Sequence, residues 1–282
     1  MRWFCFSCSI LFLTSWGFKA HRTINEQAVY QLPDELYLFY KNHVGYISEH
    51  AVDADVKKFA NHQEVPNHFI DLEYYFELFG DTISNVTWEA LNRSVSKDSL
   101  HQFGILPWHV EQCYKQLIIS FQNQNSQEIK KLSADIGHYI ADANVPLHAT
   151  VNYDGQLSHQ EGVHALFETH AAQLLMDTLF LRKKAVDTIS NFHEFIWDVV
   201  LESHQKSKEL LQKEQVLRKR FKGELYDVAQ NENAVLSSEY VEYYYQNEHE
   251  FLASCFKKAI FEVRNVWYSA WLKAGKPKLS EL

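Results

Sequence analysis

Gly137-His138-Tyr139-Ile140-Ala141-Asp142-Ala143-Asn144-Val145-Pro146-Leu147-His148 places three potential metal ligands within one short stretch, and a further pair, His164 and Glu168, follows it. His138 and Asp142 are spaced i, i+4, as are His164 and Glu168. On an α-helix that spacing stacks two side chains on one face, about 5–6 Å apart at Cβ, a separation that one metal ion or two adjacent ions can bridge. The first pair has a helix to sit on. Ser126 is the expected N-cap, and Glu128 puts an acid in the first turn. Ile129, Leu132, Ile136, Tyr139 and Ile140 mark an apolar stripe beside the His138/Asp142 face, and Pro146 stops the helix before His148.

A single His-xxx-Asp pair is most often a surface pair on a solvated helix. Two such pairs with a further histidine between them point instead to a metal site. Neutral imidazole and carboxylate are the donors that zinc takes in catalytic sites, whereas closed structural sites favour thiolate. Beyond the first fifteen residues the only cysteines are Cys113 and Cys255. A four-thiolate site is therefore excluded, and any zinc must be held mainly by nitrogen and oxygen.

Working outward, helical signals dominate. Residues 24–31 carry Ile24, Ala28 and Val29 on one side, and 107–122 begins on proline with Val110, Cys113, Tyr114, Leu117 and Ile118 inward. Residues 192–211 and 239–274 continue the pattern and are rich in aromatics; within them Tyr243, Tyr244 and Tyr245 read as core rather than as a base-stacking platform. Five prolines, nine glycines and the lack of any linker composition or solenoid-length repeat predict one all-α, multi-helical domain. The formal charge of −9 argues against a basic groove for nucleic acid, although bound cations would reverse the local field where a phosphate sits. The one basic cluster, residues 213–222, reads as a solvated helix face.

Residues 1–15 run from a basic start through a short apolar stretch to small residues, the pattern of a cleaved signal peptide. The apolar run falls short of the roughly 20 residues that a membrane span needs. The expectation is a secreted or periplasmic protein of residues 16–282 with no transmembrane segment. Cleavage after Ser15 would leave the amine and carbonyl of Trp16 as a bidentate chelate, with His21 five residues on.

The series Trp16-Gly17-Phe18-Lys19-Ala20-His21, His68-Phe69-Ile70-Asp71, His138-Tyr139-Ile140-Ala141-Asp142, Pro146-Leu147-His148 and His164-Ala165-Leu166-Phe167-Glu168 resembles the ligand series of the zinc-dependent phospholipase C and single-strand nuclease superfamily. The resemblance spans Trp16 to Glu168. It implies an all-helical domain with three zinc ions in a cleft and hydrolysis of phosphate esters. It further implies a first zinc on Asp53, His68, His138 and Asp142, and a second on His148, His164 and Glu168. The third would be shared through Asp142 and completed by Trp16 and His21. Asp55 follows Asp53 by two residues; the distance to His68 and the family's use of the first acid favour Asp53, which would also orient or deprotonate the attacking water. Asp71, three residues after His68, is expected to accept that imidazole's second N–H.

Clustered zinc activates water and clamps phosphate oxygens, so no protein nucleophile is required. The expected activity is a phospholipase C-like phosphodiesterase. Glu168 as last ligand, Asn144 and the scarcity of cysteine favour a phospholipid substrate, while the short Trp16-to-His21 interval is nearer the nuclease pattern and keeps a single-strand nuclease as the alternative. Ala54, in a position where choline-preferring relatives carry an aromatic, leaves the headgroup open. A reading from another class is a non-catalytic zinc-binding protein of the cell envelope, which would need the ligands but no open coordination position.

Overall fold

In the computed structural model, residues 17–227 and 235–279 are described. Helix makes up 75% of the chain, and the strand pairing among the described residues is a two-residue antiparallel ribbon, Tyr226–Asp227 with Val235–Leu236. The fold is all-α. No helix among the described residues is long and apolar enough to cross a membrane.

Four helices form the frame. Ser126–Ala143 is buried continuously from Ser133 to Ala143, and it is flanked by Leu106–Gln122, Phe18–Gln31 and the long helix Ser238–Lys273. Its N-cap is Asn125, whose side chain accepts from the Glu128 amide, one residue earlier than the sequence suggested. Both residues are capping types, and Asn125 leads because its backbone is already extended.

The part of this helix that is buried on every side needs close neighbours and satisfied polar groups. Gly137 supplies the closest approach: a Cβ there would lie 2.2 Å from the Asn25 side-chain oxygen. Asn25 in turn donates to the Ala134 carbonyl at 3.2 Å, locking Phe18–Gln31 against the central helix. Trp267, fully buried on the long C-terminal helix, donates to the Ser133 carbonyl, and Tyr40 bonds the Ser133 hydroxyl. The central helix ends at Ala143 with Asn144 as C-cap, and the chain then makes a short 3₁₀ turn, Pro146–Ala149.

In the basic cluster at residues 213–222 Lys219, Arg220 and Lys222 are exposed as expected of a solvated face, and Glu214 is the exception. On the helix Phe192–Arg220 Glu214 is fully buried and accepts from Gln160, Arg218 and Tyr240 at 2.5, 2.7 and 2.8 Å. The helix is amphipathic there, and the buried carboxylate is matched by the guanidinium one turn on. Through Gln160 this network anchors the loop of residues 150–162 that leads to His164. Tyr244 is core as expected, with Tyr243 and Tyr245 half-buried against it.

Candidate metal centre

Eight side chains from seven helical segments meet in the buried interior of the fold. His21 comes from Phe18–Gln31, Asp55 from Asp53–Ala60, and His68 from the end of the 3₁₀ turn His62–His68. The central helix supplies His138 and Asp142, and the turn after it supplies His148. His164 lies in Val163–Ala165 and Glu168 in the contiguous π-helical turn Leu166–Ala171. All eight are buried, His148 the most exposed of them at 6%.

Three buried groups within this set could hold a metal ion: Asp55 with His68 and His138; His21 with His138 and Asp142; and His148 with His164 and Glu168. The spacing of donor atoms tests the fit. Two donors about 2.0–2.1 Å from one tetrahedral zinc lie about 3.3 Å apart. Asp142 Oδ2 is 2.8 Å from His68 Nδ1 and 3.1 Å from His138 Nε2, and the two nitrogens are 3.0 Å apart. Asp55 Oδ1 closes the set at 3.8 and 3.7 Å from them. In the second group, Glu168 places Oε1 2.9 Å from His148 Nε2 and Oε2 3.0 Å from His164 Nε2. The other oxygen of Asp142, Oδ1, is 3.4 Å from His21 Nε2 and 3.5 Å from His148 Nδ1. One carboxylate thus faces two groups with its two oxygens.

The hydrogen bonds behind these donors are as informative. His138 turns Nδ1 to the Ala51 carbonyl at 2.8 Å, and His164 turns Nδ1 to the Tyr153 carbonyl at 3.0 Å. Each bond places the ring proton on Nδ1 and leaves Nε2 as a lone pair facing the centre. Inside the centre, His164 Nε2, His148 Nδ1, Asp142 Oδ1 and both Glu168 oxygens make no hydrogen bond among the described residues. Buried polar atoms are normally paired, so convergent acceptors without donors fit a cation.

Charge balance agrees with that reading. Burial opposes ionisation of Asp55 and Glu168, yet the surrounding imidazoles, with Lys58 beside Asp55, hold both at about 2. Burial also opposes charge on His138, but Asp142 and Asp55 outweigh it and raise the ring to about 8. His68 is pushed down to about 4 by burial and by Lys58. Against the effect of burial, the Glu168 carboxylate likewise raises His164, so the cluster pulls positive charge onto its rings, the charge that a metal ion would supply instead.

Asp53 is the correction at this site. Its carboxylate is 44% exposed and pairs with His50 at 2.7 Å on the outer face, while Asp55 points into the centre. Both acids belong to the helix Asp53–Ala60, and residues two apart on a helix differ by roughly 200° in direction, so only one of them faces inward. The expected link from Asp71 to His68 is also absent: the groups facing His68 are Asp142, Asp55, His138 and, at 3.7 Å from Nε2, Glu64. Trp16, and residues 1–15 with their signal-peptide pattern, lie outside the described residues. Their neighbour Gly17 donates its amide to the Glu168 carbonyl at 3.3 Å, which ties the start of the first helix to the π turn.

Two features of the centre were missed in the sequence. Lys58, 14% exposed in its side chain, lies 2.6 Å from Asp55 Oδ1, and Glu64 stands behind His68. Lys58 is three residues from Asp55, a helical pairing that becomes visible only once Asp55 is the inward acid. No family model matches the chain, and no curated protein matches it.

Proposed function

We propose that this chain is an exported zinc-dependent phosphodiesterase, phospholipase C-like in its substrate. The observation that carries the reading is Asp142, fully buried, whose two oxygens face His68 and His138 on one side and His21 and His148 on the other. A carboxylate shared in this way suits adjacent metal ions, and clustered ions suit a phosphate diester.

Asp55, His68, His138 and Asp142 would hold one zinc, and His148, His164 and Glu168 a second. His21 and Asp142 would hold a third, with the Trp16 amine and carbonyl if the leader is removed after Ser15. Zinc bound there would supply Lewis-acid stabilisation of phosphate charge and activation of water. The chain's own groups do the rest. Ala51 and Tyr153 keep the protons of His138 and His164 on Nδ1. Asp55, held ionised, is the residue within the centre suited to orient a water or accept a proton from it, the role that the sequence suggested for Asp53. Lys58 brings a cation to the same wall, where a phosphate oxygen would gain from it.

The phospholipid reading rests on Glu168 as final ligand, on Asn144 and on the scarcity of cysteine; the short Trp16-to-His21 interval supports the single-strand nuclease reading. The deciding experiment gives zinc-loaded protein short-chain phospholipids of several headgroups and, separately, single-stranded DNA and RNA. Release of phosphorylated headgroup with nucleic acid intact is expected. Nucleotide release without lipid cleavage would move the assignment to the nuclease, and full zinc loading without turnover of either would favour the non-catalytic protein.

A further inference from the structure

His68 differs from the other two imidazoles whose outer partners are visible. It turns Nδ1, not Nε2, to the centre, 2.8 Å from Asp142 and 3.0 Å from His138 Nε2. To offer a lone pair at Nδ1, the ring must carry its proton on Nε2. That Nε2 is buried, makes no hydrogen bond among the described residues, and lies 3.7 Å from Glu64 Oε1. Glu64 is four residues before His68 in the same 3₁₀ turn. Its carboxylate also accepts the hydroxyl of Tyr139, the residue next to His138 on the central helix. The Tyr139 ring stands edge-on to both His68 and His138, with centroids 5.3 Å from each, so the hydroxyl, the carboxylate and the two candidate ligand rings pack as one unit.

We propose that Glu64, held by Tyr139, is a positioning residue that fixes the Nε2–H tautomer of His68 and thereby the affinity of the Asp55/His68/His138/Asp142 group for its metal. The inference rests on the metal-centre reading above. Glu64 does not contact the donor atoms on the metal side. It acts through the far nitrogen of His68, the place where an orienting carboxylate raises ligand basicity. A shift of about 0.5–1 Å toward Nε2 would let the carboxylate accept its proton, and the Tyr139 hydroxyl, bonded to the same Oε1, holds that oxygen beside the ring.

The test uses zinc competition against a chelator on the full protein, together with ¹⁵N NMR of the zinc-loaded histidines. Glu64→Ala is expected to weaken one zinc per chain by about 10–100-fold, the usual effect of losing an outer-shell partner. The remaining zinc should stay bound, and the His68 Nε2–H signal should be lost or broadened. Glu64→Gln keeps an acceptor oxygen and nearly the same shape, so it guards against misfolding; a smaller loss with the tautomer retained is expected. Tyr139→Phe should fall between the two. Unchanged zinc affinity and an unchanged His68 tautomer in Glu64→Ala would overturn the inference while leaving the metal centre intact. If the unsubstituted protein binds no zinc, both this inference and the reading beneath it are overturned.

Discussion

At Asp55 and Asp53 the choice between two acids becomes a measurable difference. Asp55→Asn removes a buried carboxylate from the centre and is expected to lower phosphodiester turnover by at least about 100-fold, with loss of zinc, as for a lost ligand or positioned base. Asp53→Asn breaks only the half-exposed pair with His50 and should leave turnover within about twofold, since such pairs contribute little. Equal losses in the two variants would show that the inward placement of Asp55 is not what matters. Asp71 offers a separate prediction about pH. Burial, and less so the neighbouring Glu73 charge, raises it from 3.8 to about 7. The folded chain therefore keeps a proton that the unfolded chain loses above pH 4. Hence the contribution of Asp71 to stability is full below about pH 4 and is lost as pH rises through 7, by up to about 1.4 kcal/mol per pH unit. Metal-free Asp71→Asn should accordingly be more stable than the unsubstituted protein at pH 8, with the gap narrowing toward pH 5 in urea unfolding. A gap independent of pH would refute this.

Among the elements, the central helix and its neighbour are set by one close contact. Gly137→Ala forces a Cβ into the Asn25 amide and should cost about 1–3 kcal/mol, as overpacking does. Because the same contact sets how His21 stacks on His138, with ring centroids 4.0 Å apart, zinc content should fall as well. Adding Asn25→Ala to Gly137→Ala relieves the clash, so the double variant should be more stable than the two single losses added together. Strict additivity in chemical denaturation would mean that the two residues do not meet. The π turn at Leu166–Ala171 is the other element with a consequence. Its extra residue lies just where Glu168 faces His148 and His164, and such insertions are often found at functional sites.

For the whole molecule, the prediction is that zinc and fold are linked. The donors come from segments as far apart in the chain as His21 and Glu168, so ions bound among them hold distant helices together. Chelation should lower the melting temperature and abolish turnover, and zinc should restore both. For one site, zinc at 100 times its dissociation constant stabilises by about 2.7 kcal/mol. An identical melting temperature with and without zinc would separate the centre from stability. Much of this molecule is legible in its sequence. The 3.6-residue periodicity and scarcity of breakers lead to an all-α chain, because a stripe of apolar residues at that spacing can be buried only as a helix. The i, i+4 pairs His138/Asp142 and His164/Glu168 are readable for the same reason, since local geometry alone puts them on one face. What tertiary structure decided are the long-range choices. Two residues apart on one short helix, Asp53 and Asp55 are equivalent in composition, and only the docking of that helix turns Asp55 inward and Asp53 to solvent. The partner behind His68 likewise proved to be Glu64 rather than Asp71, because the 3₁₀ turn, and not sequence distance, determines which carboxylate faces Nε2. Glu214, in a segment that reads as a charged surface, became buried because Gln160, Arg218 and Tyr240 arrive to satisfy it. Periodicity within a helix is a local property of the chain, whereas the direction in which a helix faces is settled only by what packs against it.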